Sequence, residues 1–435
     1  LASSAKIDAR ITRLFPFELT VGQKQVMAAV AADMARSTPM NRLLQGDVGS
    51  GKTVVAVYAM LLAVAHGHQA ALMAPTEILA RQHFDTLQRY LRQSPTKVAL
   101  LSGSISPKSR QQLLADLASG QLDLVVGTQA LIQEGVQFAR LGLVVIDEQH
   151  KFGVKQRAVL RGSGVQPHYL VMTATPIPRT VSMTLFGDLD VSTLRDLPPG
   201  RQGVQTYLVA EDKRDKGWEF FRREGRQGYV VTPRVEQDEL NAASVEERFA
   251  SLANGELEEF RLGMVHGRLS ADEKDARMDA FRRGDIQVLV CTTVVEVGVD
   301  VPNATLMVIE AGESFGLSQL HQLRGRVSRG AHAGICAVFA DPATEESAAR
   351  LKAFETTSDG FELAEKDFGL RGPGNLYRTQ QHGLPPLYIA DLVRDRGFLE
   401  EARADAQALI QQDPGLAQPE FARLRRMVLR RYGQA

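Results

Sequence analysis

The sequence has 435 residues, 44% hydrophobic and 23% charged, which is typical of a globular protein with two or three domains. Its 51 basic and 51 acidic side chains cancel, so no global basic field indicates a nucleic-acid partner, and any such site must be a local patch. The two cysteines, Cys291 and Cys336, lie in separate apolar runs, which favours buried thiols over a disulfide, and no spacing suits zinc.

The amino-terminal residues carry scattered charges and no apolar core of a signal peptide. The longest apolar run, residues 54–65, is too short to span a bilayer. We therefore expect a cytoplasmic protein without a membrane partner. A helix is predicted after Thr20, which can cap it, and Gln23 lies in its first turn.

The first strong signal is the pattern G-x-x-x-x-G-K-T at residues 46–53, between a short apolar lead-in and a helical run. The glycines, Gly46, Gly49 and Gly51, let backbone N–H groups turn toward one anion at the positive end of the helix. Lys52 would reach the β- and γ-phosphates, and the Thr53 hydroxyl would hold Mg²⁺. The pattern predicts a site for ATP and Mg²⁺.

Apolar strand patterns then alternate with helical ones, which indicates a parallel sheet covered on both faces. The predicted strands are 70–74, 98–101, 122–126, 143–146 and 169–172, and the predicted helices are 77–90 and 108–118. Because ligands of such sheets bind at the carboxyl ends of the strands, the polar residues that follow each strand are the candidates for function.

An acidic pair, Asp147 and Glu148, directly follows an apolar strand. Asp147 would hold the Mg²⁺, and Glu148 would orient and deprotonate the attacking water. Thr173 and Thr175 follow the next strand, where their hydroxyls could connect the acidic pair to a second lobe. Four prolines between 176 and 199 then lead to Gly200, which indicates a linker.

From residue 204 the alternation resumes, with strands predicted at 227–232, 262–265, 288–292 and 306–309. Polar residues again follow the strands, among them His266, Thr292 and Asp300. The stretch 319–330 carries three arginines in six residues. Facing a phosphate loop, such arginines could stabilise the charge on the γ-phosphate. Taken alone, the stretch favours a solvated helix face.

The order of these motifs resembles that in superfamily 2 helicases and translocases. The residues within the motifs are similar to those of the RecG family. The matching segments are GDVGSGKT, APTEILARQH, IDEQHKFGVKQR, MTATPIPRT, TTVVEVGVDVPNA and QLHQLRGRVSRG. The resemblance runs from about residue 17 to 383. It implies two tandem RecA-like α/β lobes with parallel sheets, at residues 1–200 and 201–345, and a C-terminal helical-hairpin appendage at 346–435.

The resemblance also implies roles for individual residues. Gln23 would read the adenine edge, while Gln322, Arg326, Arg329 and Asp300 would act on the nucleotide from the second lobe. The residues that would touch the DNA backbone are Thr76, Thr128, His266 and Thr292. Arg371 and Gln381 match polar residues that couple ATP hydrolysis to movement.

The implied function is ATP-dependent translocation on double-stranded or branched DNA by a monomer, with single-strand-binding protein as a partner. The wedge domain of that family is not expected within this chain. Two alternatives stay open. Asn375 is typical of the transcription-repair coupling translocase, and Ser328, where the family has glycine, favours a DNA-binding module that turns nucleotide over poorly. The tail, 400–435, is predicted helical and carries five arginines between 423 and 431. A basic helix could follow DNA phosphates, but a solvated helix with Leu424 and Val428 as a packing face is favoured.

Overall fold

The computed structural model describes residues 1–103, 105–133, 135–148, 166–176, 189–196, 203–224, 226–233, 238–292, 301–327, 332–371 and 395–432. These residues form two compact units. The first contains two parallel sheets and extends to residue 370, and the second contains the two C-terminal helices.

The first lobe is built on a seven-stranded sheet with the order β3-β4-β2-β5-β6-β1-β7. The strands are β1 (Asn41–Gly46), β2 (Gln69–Met73), β3 (Val98–Leu101), β4 (Leu124–Gly127), β5 (Leu141–Asp147), β6 (His168–Thr173) and β7 (Asp190–Leu194). All of their pairings are parallel. Every residue of β2, β4 and β5 is buried, as apolar strands covered on both faces require.

The second lobe is built on a six-stranded parallel sheet with the order β10-β11-β9-β12-β13-β8. Its strands are β8 (Val204–Val209), β9 (Gln227–Val231), β10 (Leu262–Val265), β11 (Val288–Cys291), β12 (Ala304–Ile309) and β13 (Gly334–Phe339). Both cysteines are buried free thiols in this sheet, so the predicted buried thiols are confirmed.

Helices cover the two sheets. In chain order they are α1 (Ala5–Thr12), α2 (Val21–Met34), α3 (Lys52–Ala65), α4 (Glu77–Tyr90), α5 (Pro107–Ala118), α6 (Arg214–Glu224), α7 (Asp238–Ala253), α8 (Ala271–Arg283), α9 (Leu317–Arg324), α10 (Glu345–Thr356) and α11 (Gly360–Arg371). The predicted α/β fold of two parallel-sheet lobes with C-terminal helices is confirmed.

Local sequence explains where several of these helices begin. Thr20 accepts a hydrogen bond from the Gln23 backbone N–H while the Gln23 side chain caps Thr20 in return. Ser270 and Glu273 form the same reciprocal cap on α8. Each cap satisfies backbone donors that the first helical turn leaves without partners.

The predicted linker after residue 176 is wrong at Asp190–Leu194, which forms the edge strand β7 against β1. The Arg42 guanidinium donates to the Ser192 hydroxyl at 2.7 Å and to Asp33, which ties β7 to the sheet and to α2. Prolines on both sides concealed this strand, because an edge strand needs little apolar sequence of its own.

Helices α10 and α11 pack on the second sheet, since Leu351, Phe354 and Leu363 belong to its core. Of the predicted appendage, only the chain from residue 371 onward falls in the second unit. The predicted domain boundaries stay a prediction. In the second unit lie α12 (Arg396–Gln412) and α13 (Ala422–Tyr432).

The helical tail is confirmed, but its predicted packing face is not. Leu424 and Val428 on α13 are each 40% exposed, more than a packed apolar stripe allows. Along the described chain, no helix combines the length and the apolar character that crossing a bilayer demands.

A half-buried histidine, His168, is expected to make the first lobe acid-sensitive. His168 Nδ1 accepts from the Met40 backbone N–H at 2.9 Å. Burial, with smaller contributions from the amino terminus and His68, lowers the pKa of His168 to about 4. The unfolded chain therefore takes up a proton near pH 6.5 that the folded chain refuses until about pH 4, and stability falls across that interval.

We expect His168→Asn to retain the acceptor and to remove this acid sensitivity. Between pH 6.5 and 4 the wild-type chain should lose of the order of 1–2 kcal/mol more stability than the variant, after discounting for solvent screening. Urea unfolding at both pH values measures the difference. His66→Asn, a change at an exposed histidine, is the matched control, and an equal loss in wild type and His168→Asn would contradict the assignment.

Candidate nucleotide site

Three neighbouring strands of the first sheet, β1, β6 and β5, end at the same edge of the sheet. The residues at or just after the end of each strand form one part of the predicted site. β6 lies between β1 and β5. Gln45 of β1 is level with Thr173 of β6, and Met172 is level with Asp147 of β5. The phosphate loop, the threonine pair and the acidic pair are therefore brought together at one sheet edge, as the sequence predicted.

The glycines of the phosphate loop are required by backbone geometry. Gly49 and Gly51 have φ of 80° and 86°, in the left-handed region that favours glycine. A Cβ on Gly51 would collide with Nε2 of Gln23, and a Cβ on Gly46 would lie 2.6 Å from Oγ of Ser50. The loop therefore keeps its backbone amides open to an approaching anion only with glycine at these positions.

The lysine of the loop is folded back on the loop itself. Lys52 begins α3, and its Nζ donates to the carbonyl oxygens of Gly46 at 2.9 Å and of Asp47 at 3.0 Å. Thr53 follows in the first turn of α3 and is half-buried. Lys52 thus lies in the loop at the positive end of α3, where its ammonium group can exchange these carbonyls for phosphate oxygens.

Gln23 braces the loop from the side. It is 2% exposed, its Nε2 donates to the Ser50 carbonyl at 3.0 Å, and its Oε1 accepts from the Thr20 backbone N–H. Both ends of the amide are therefore engaged by protein groups. Its predicted contact with the adenine edge stays a prediction.

Asp147 is held in its charged form by a histidine that sequence analysis did not single out. Burial alone raises the pKa of Asp147, but the hydrogen bond and charge of His83, together with the charge of Lys52, lower it overall. His83 Nε2 lies 2.7 Å from Asp147 Oδ2. A charged carboxylate at the same sheet edge as the phosphate loop is suited to a divalent cation.

The pKa of Glu148 is shifted in the opposite direction to that of Asp147. Its pKa is raised, first by burial and then by the charge of Asp147, so it is a stronger base than an ordinary glutamate. Its Oε1 accepts from the Ala174 backbone N–H at 3.0 Å, and its φ of 55° is in the left-handed region. Two adjacent carboxylates with pKa values pushed apart are typical of separate metal-binding and acid–base roles.

A chain of hydroxyl groups joins the acidic pair to the second lobe. The Thr173 hydroxyl lies 3.5 Å from Glu148 Oε2 and accepts from the Thr175 backbone N–H at 3.1 Å. Thr175 in turn accepts a hydrogen bond from the side chain of Gln322 on α9. These contacts link the acidic pair to Gln322, and the coupling role of Thr173 and Thr175 stays a prediction.

From the second lobe, Arg326 also approaches the acidic pair. It follows α9, is 6% exposed, and its positive charge lowers the pKa of Glu148 against the larger opposing effects. The solvated-face interpretation therefore does not hold for Arg326. Arg329, Asp300 and Gln381 lie outside the described residues, as does the side chain of Arg371.

The four predicted DNA-backbone residues follow β2, β4, β10 and β11. Thr76 caps α4, where its Oγ1 accepts from the Leu79 backbone N–H at 3.4 Å, and Thr128 precedes a short 3₁₀ turn. His266 and Thr292 are only 4% and 3% exposed. The positions at strand ends agree with the prediction, and contact with DNA stays a prediction.

Two histidines were missed by sequence analysis, His83 and His321. His83 lies on the buried face of α4 together with Leu79, Ala80 and Leu87, and His321 is buried on α9. A histidine on the apolar face of a helix was the available signal. Each bonds an aspartate, and those partners, Asp147 and Asp47, are 64 and 274 residues away in sequence.

Successive parts of the chain match known families. Residues 20–184 match DEAD/DEAH box helicases, residues 213–331 match the helicase conserved C-terminal domain, and residues 357–431 match domain 3, C-terminal, of the ATP-dependent DNA helicase RecG. The two parallel-sheet lobes and the phosphate loop are therefore similar to those of helicases.

Over most of its length the chain is similar to RecG helicases. It is 48% identical to the ATP-dependent DNA helicase RecG of Bacillus subtilis over 97% of this chain and 62% of that protein. For the same helicase of Synechocystis the values are 49%, 95% and 50%. The chain therefore spans between half and two thirds of the length of these relatives.

The fold agrees with a solved structure described as RecG bound to a three-way DNA junction. The TM-score is 0.77 at 45% identity, with 91% of this chain and 52% of that chain covered. The predicted RecG resemblance is confirmed.

Proposed function

We propose that this chain is the motor part of an ATP-dependent DNA translocase and helicase that acts on double-stranded and branched DNA and remodels stalled forks and recombination junctions. The observation that carries the proposal is the meeting of both lobes at one sheet edge. There, Gln322 of α9 bonds Thr175, and Arg326 faces the acidic pair beside the phosphate loop. A nucleotide site shared by two lobes can turn hydrolysis into lobe movement.

The residues present fit ATP and Mg²⁺, because the glycine-lined loop leaves room that a Cβ would fill. The loop amides and Lys52 would hold the phosphates, and Thr53 and Asp147 would hold the Mg²⁺. When bound, Mg²⁺ supplies positive charge at the β- and γ-phosphate oxygens. Glu148 would take the proton of the attacking water, and Arg326 would stabilise the charge that spreads over the transferred group.

The choice of DNA structure as substrate rests on relatives. The similar solved structure is of RecG bound to a three-way DNA junction, and the match of residues 357–431 to RecG favours this function over that of the transcription-repair coupling translocase. We further propose a cytoplasmic monomer that works with single-strand-binding protein on the same DNA.

The test is ATP hydrolysis by the purified chain with forked DNA, linear duplex DNA or RNA, together with strand separation on the fork. We expect forked DNA to stimulate hydrolysis most. Lys52→Ala should lower kcat by about 10²–10³-fold, because the phosphates lose one positive side chain that stabilises their charge during the reaction. Hydrolysis that no DNA stimulates would overturn the motor proposal and favour a nucleotide-binding module.

A further inference from the structure

A histidine of the second lobe is bonded directly to the phosphate loop of the first. His321 on α9 places Nε2 at 2.7 Å from Oδ1 of Asp47. The contact is enclosed, because the His321 side chain is 5% exposed and that of Asp47 is 21% exposed. Gly325, at the end of α9, has no room for a Cβ, which would lie 2.9 Å from Cβ of Val48. Helix α9 therefore rests on the loop through both contacts.

The second ring nitrogen of His321 identifies the donor. Nδ1 lies 3.1 Å from Nη2 of Arg324, and a guanidinium group can only donate. Nδ1 must therefore accept, so the proton of the imidazole is on Nε2 and is donated to the Asp47 carboxylate. Arg324, His321 and Asp47 form a directed row of hydrogen bonds from the second lobe to the first.

Arg324 extends this row to the start of α11. It is 4% exposed, and it donates to the backbone carbonyls of Phe354 at 2.9 Å and of Ser358 at 3.2 Å. Its guanidinium carbon also lies 4.4 Å from the centre of the Phe354 ring. These partners are in the last turn of α10 and in the short connection to α11. One arginine thus fixes His321 and the connection at the same time.

The first residue of α11 closes the arrangement. A Cβ added to Gly360 would collide with Nε2 of His321 and would lie 2.7 Å from Cγ of Pro176. The atom of His321 that bonds the phosphate loop is therefore in contact with α11 itself. A shift of His321 cannot leave the start of α11 undisturbed in so close a packing.

Asp47 in turn is sensitive to what the loop holds. Its backbone carbonyl accepts from Lys52 Nζ at 3.0 Å, and its carboxylate accepts from the Val48 backbone N–H at 2.6 Å. Phosphate oxygens that draw Lys52 away would change the first of these bonds. The carboxylate bonded by His321 belongs to the same residue.

We propose that His321 and Arg324 are positioning residues that transmit the state of the phosphate loop to α11, the helix that precedes the predicted translocation segment. This inference rests on the proposed function. Neither residue performs chemistry on the nucleotide. Their role is to join Asp47 to Gly360, so that a change of the loop on nucleotide binding displaces the helix.

Two variants interrupt the row at different points. His321→Asn keeps an acceptor at the position of Nδ1, for Arg324, but has no donor that reaches Asp47. Gly360→Ala leaves the His321 side chain itself unchanged but places a methyl group against its Nε2. The matched control for the second is Gly369→Ala on the same helix, where a Cβ would have nothing within 4 Å. The control for the first is His66→Asn, at an exposed histidine.

Hydrogen exchange with a non-hydrolysable ATP analogue gives the direct measurement. In the wild type, the analogue should change the exchange of residues 43–53 and of residues 361–371. In His321→Asn and in Gly360→Ala, the loop should still respond while residues 361–371 no longer do. Both controls should behave as the wild type. Strand separation per ATP hydrolysed should fall by about 5–150-fold in both variants, the usual span of a coupling between two sites.

The two proposals fail in different ways. If the loop of the wild type does not respond to the analogue, nucleotide binding and the proposed function fail. If the loop responds but residues 361–371 stay unchanged in the wild type, or change equally in wild type and both variants, the inference about His321 and Arg324 is overturned. A double variant that loses no more coupling than either single variant would support one shared route.

Discussion

Replacing Glu148 by glutamine should lower kcat for ATP hydrolysis by about 10²–10⁴-fold, the usual worth of a positioned general base. The amide keeps an oxygen that accepts from the Ala174 backbone N–H, as Oε1 does at 3.0 Å, so the side chain should hold its place. It cannot take a proton from water. We therefore expect ATP to bind as tightly as before, with only the chemical step lost.

The measurement is steady-state hydrolysis at saturating forked DNA, combined with the dissociation constant for a fluorescent ATP analogue. Glu247→Gln, at an exposed glutamate on α7, makes the same chemical change away from the site and should leave both quantities unchanged. A Glu148→Gln chain that hydrolyses ATP at the wild-type rate would remove Glu148 from the role of base.

Replacing Arg326 by alanine should lower kcat by about 10³–10⁵-fold, the effect of losing an arginine that stabilises the charge on the transferred phosphoryl group. Arg326 is 6% exposed and is close enough to Glu148 for its charge to lower the pKa of that carboxyl. In the proposed reaction its guanidinium would act from the second lobe on a site built by the first. The loss should therefore be in kcat, with a smaller change in nucleotide affinity.

Because Arg326 is buried, its removal could also loosen the second lobe. Arg326→Lys keeps the charge but lacks the planar fork that can hold two oxygens, so it should recover stability while recovering only part of kcat. Arg92→Ala, at an exposed arginine, is the surface control. Equal kcat for wild type and Arg326→Ala, with both folded by thermal melting, would exclude Arg326 from the reaction.

Much of the fold followed from the sequence because parallel strands covered on both faces leave a simple pattern. The predicted bounds of the helix at 77–90 and of the strands at 98–101 and 262–265 are those of α4, β3 and β10. Strand β7 was missed, because its pattern is short and lies among prolines. Its position depends on pairing with β1. Arg42 and Ser192, which form one contact between the two strands, are 150 residues apart in the sequence.

The sequence by itself determined the residues that any such site needs. Gly49 and Gly51 had to be glycines for the phosphate loop to turn. An acidic pair that directly follows an apolar strand had to lie at the edge of the sheet where that strand ends. These are local requirements, since backbone angles and strand ends depend on neighbouring residues in the chain.

Only the tertiary structure decided which of those residues act together. The proton of His321 points to Asp47 because Arg324 occupies the other ring nitrogen, and Asp147 stays charged because His83 lies against it. Such partners are chosen by the packing of helices on two separate sheets. A hydrogen bond is directional and short, so no pattern along one segment can indicate where its distant partner will lie.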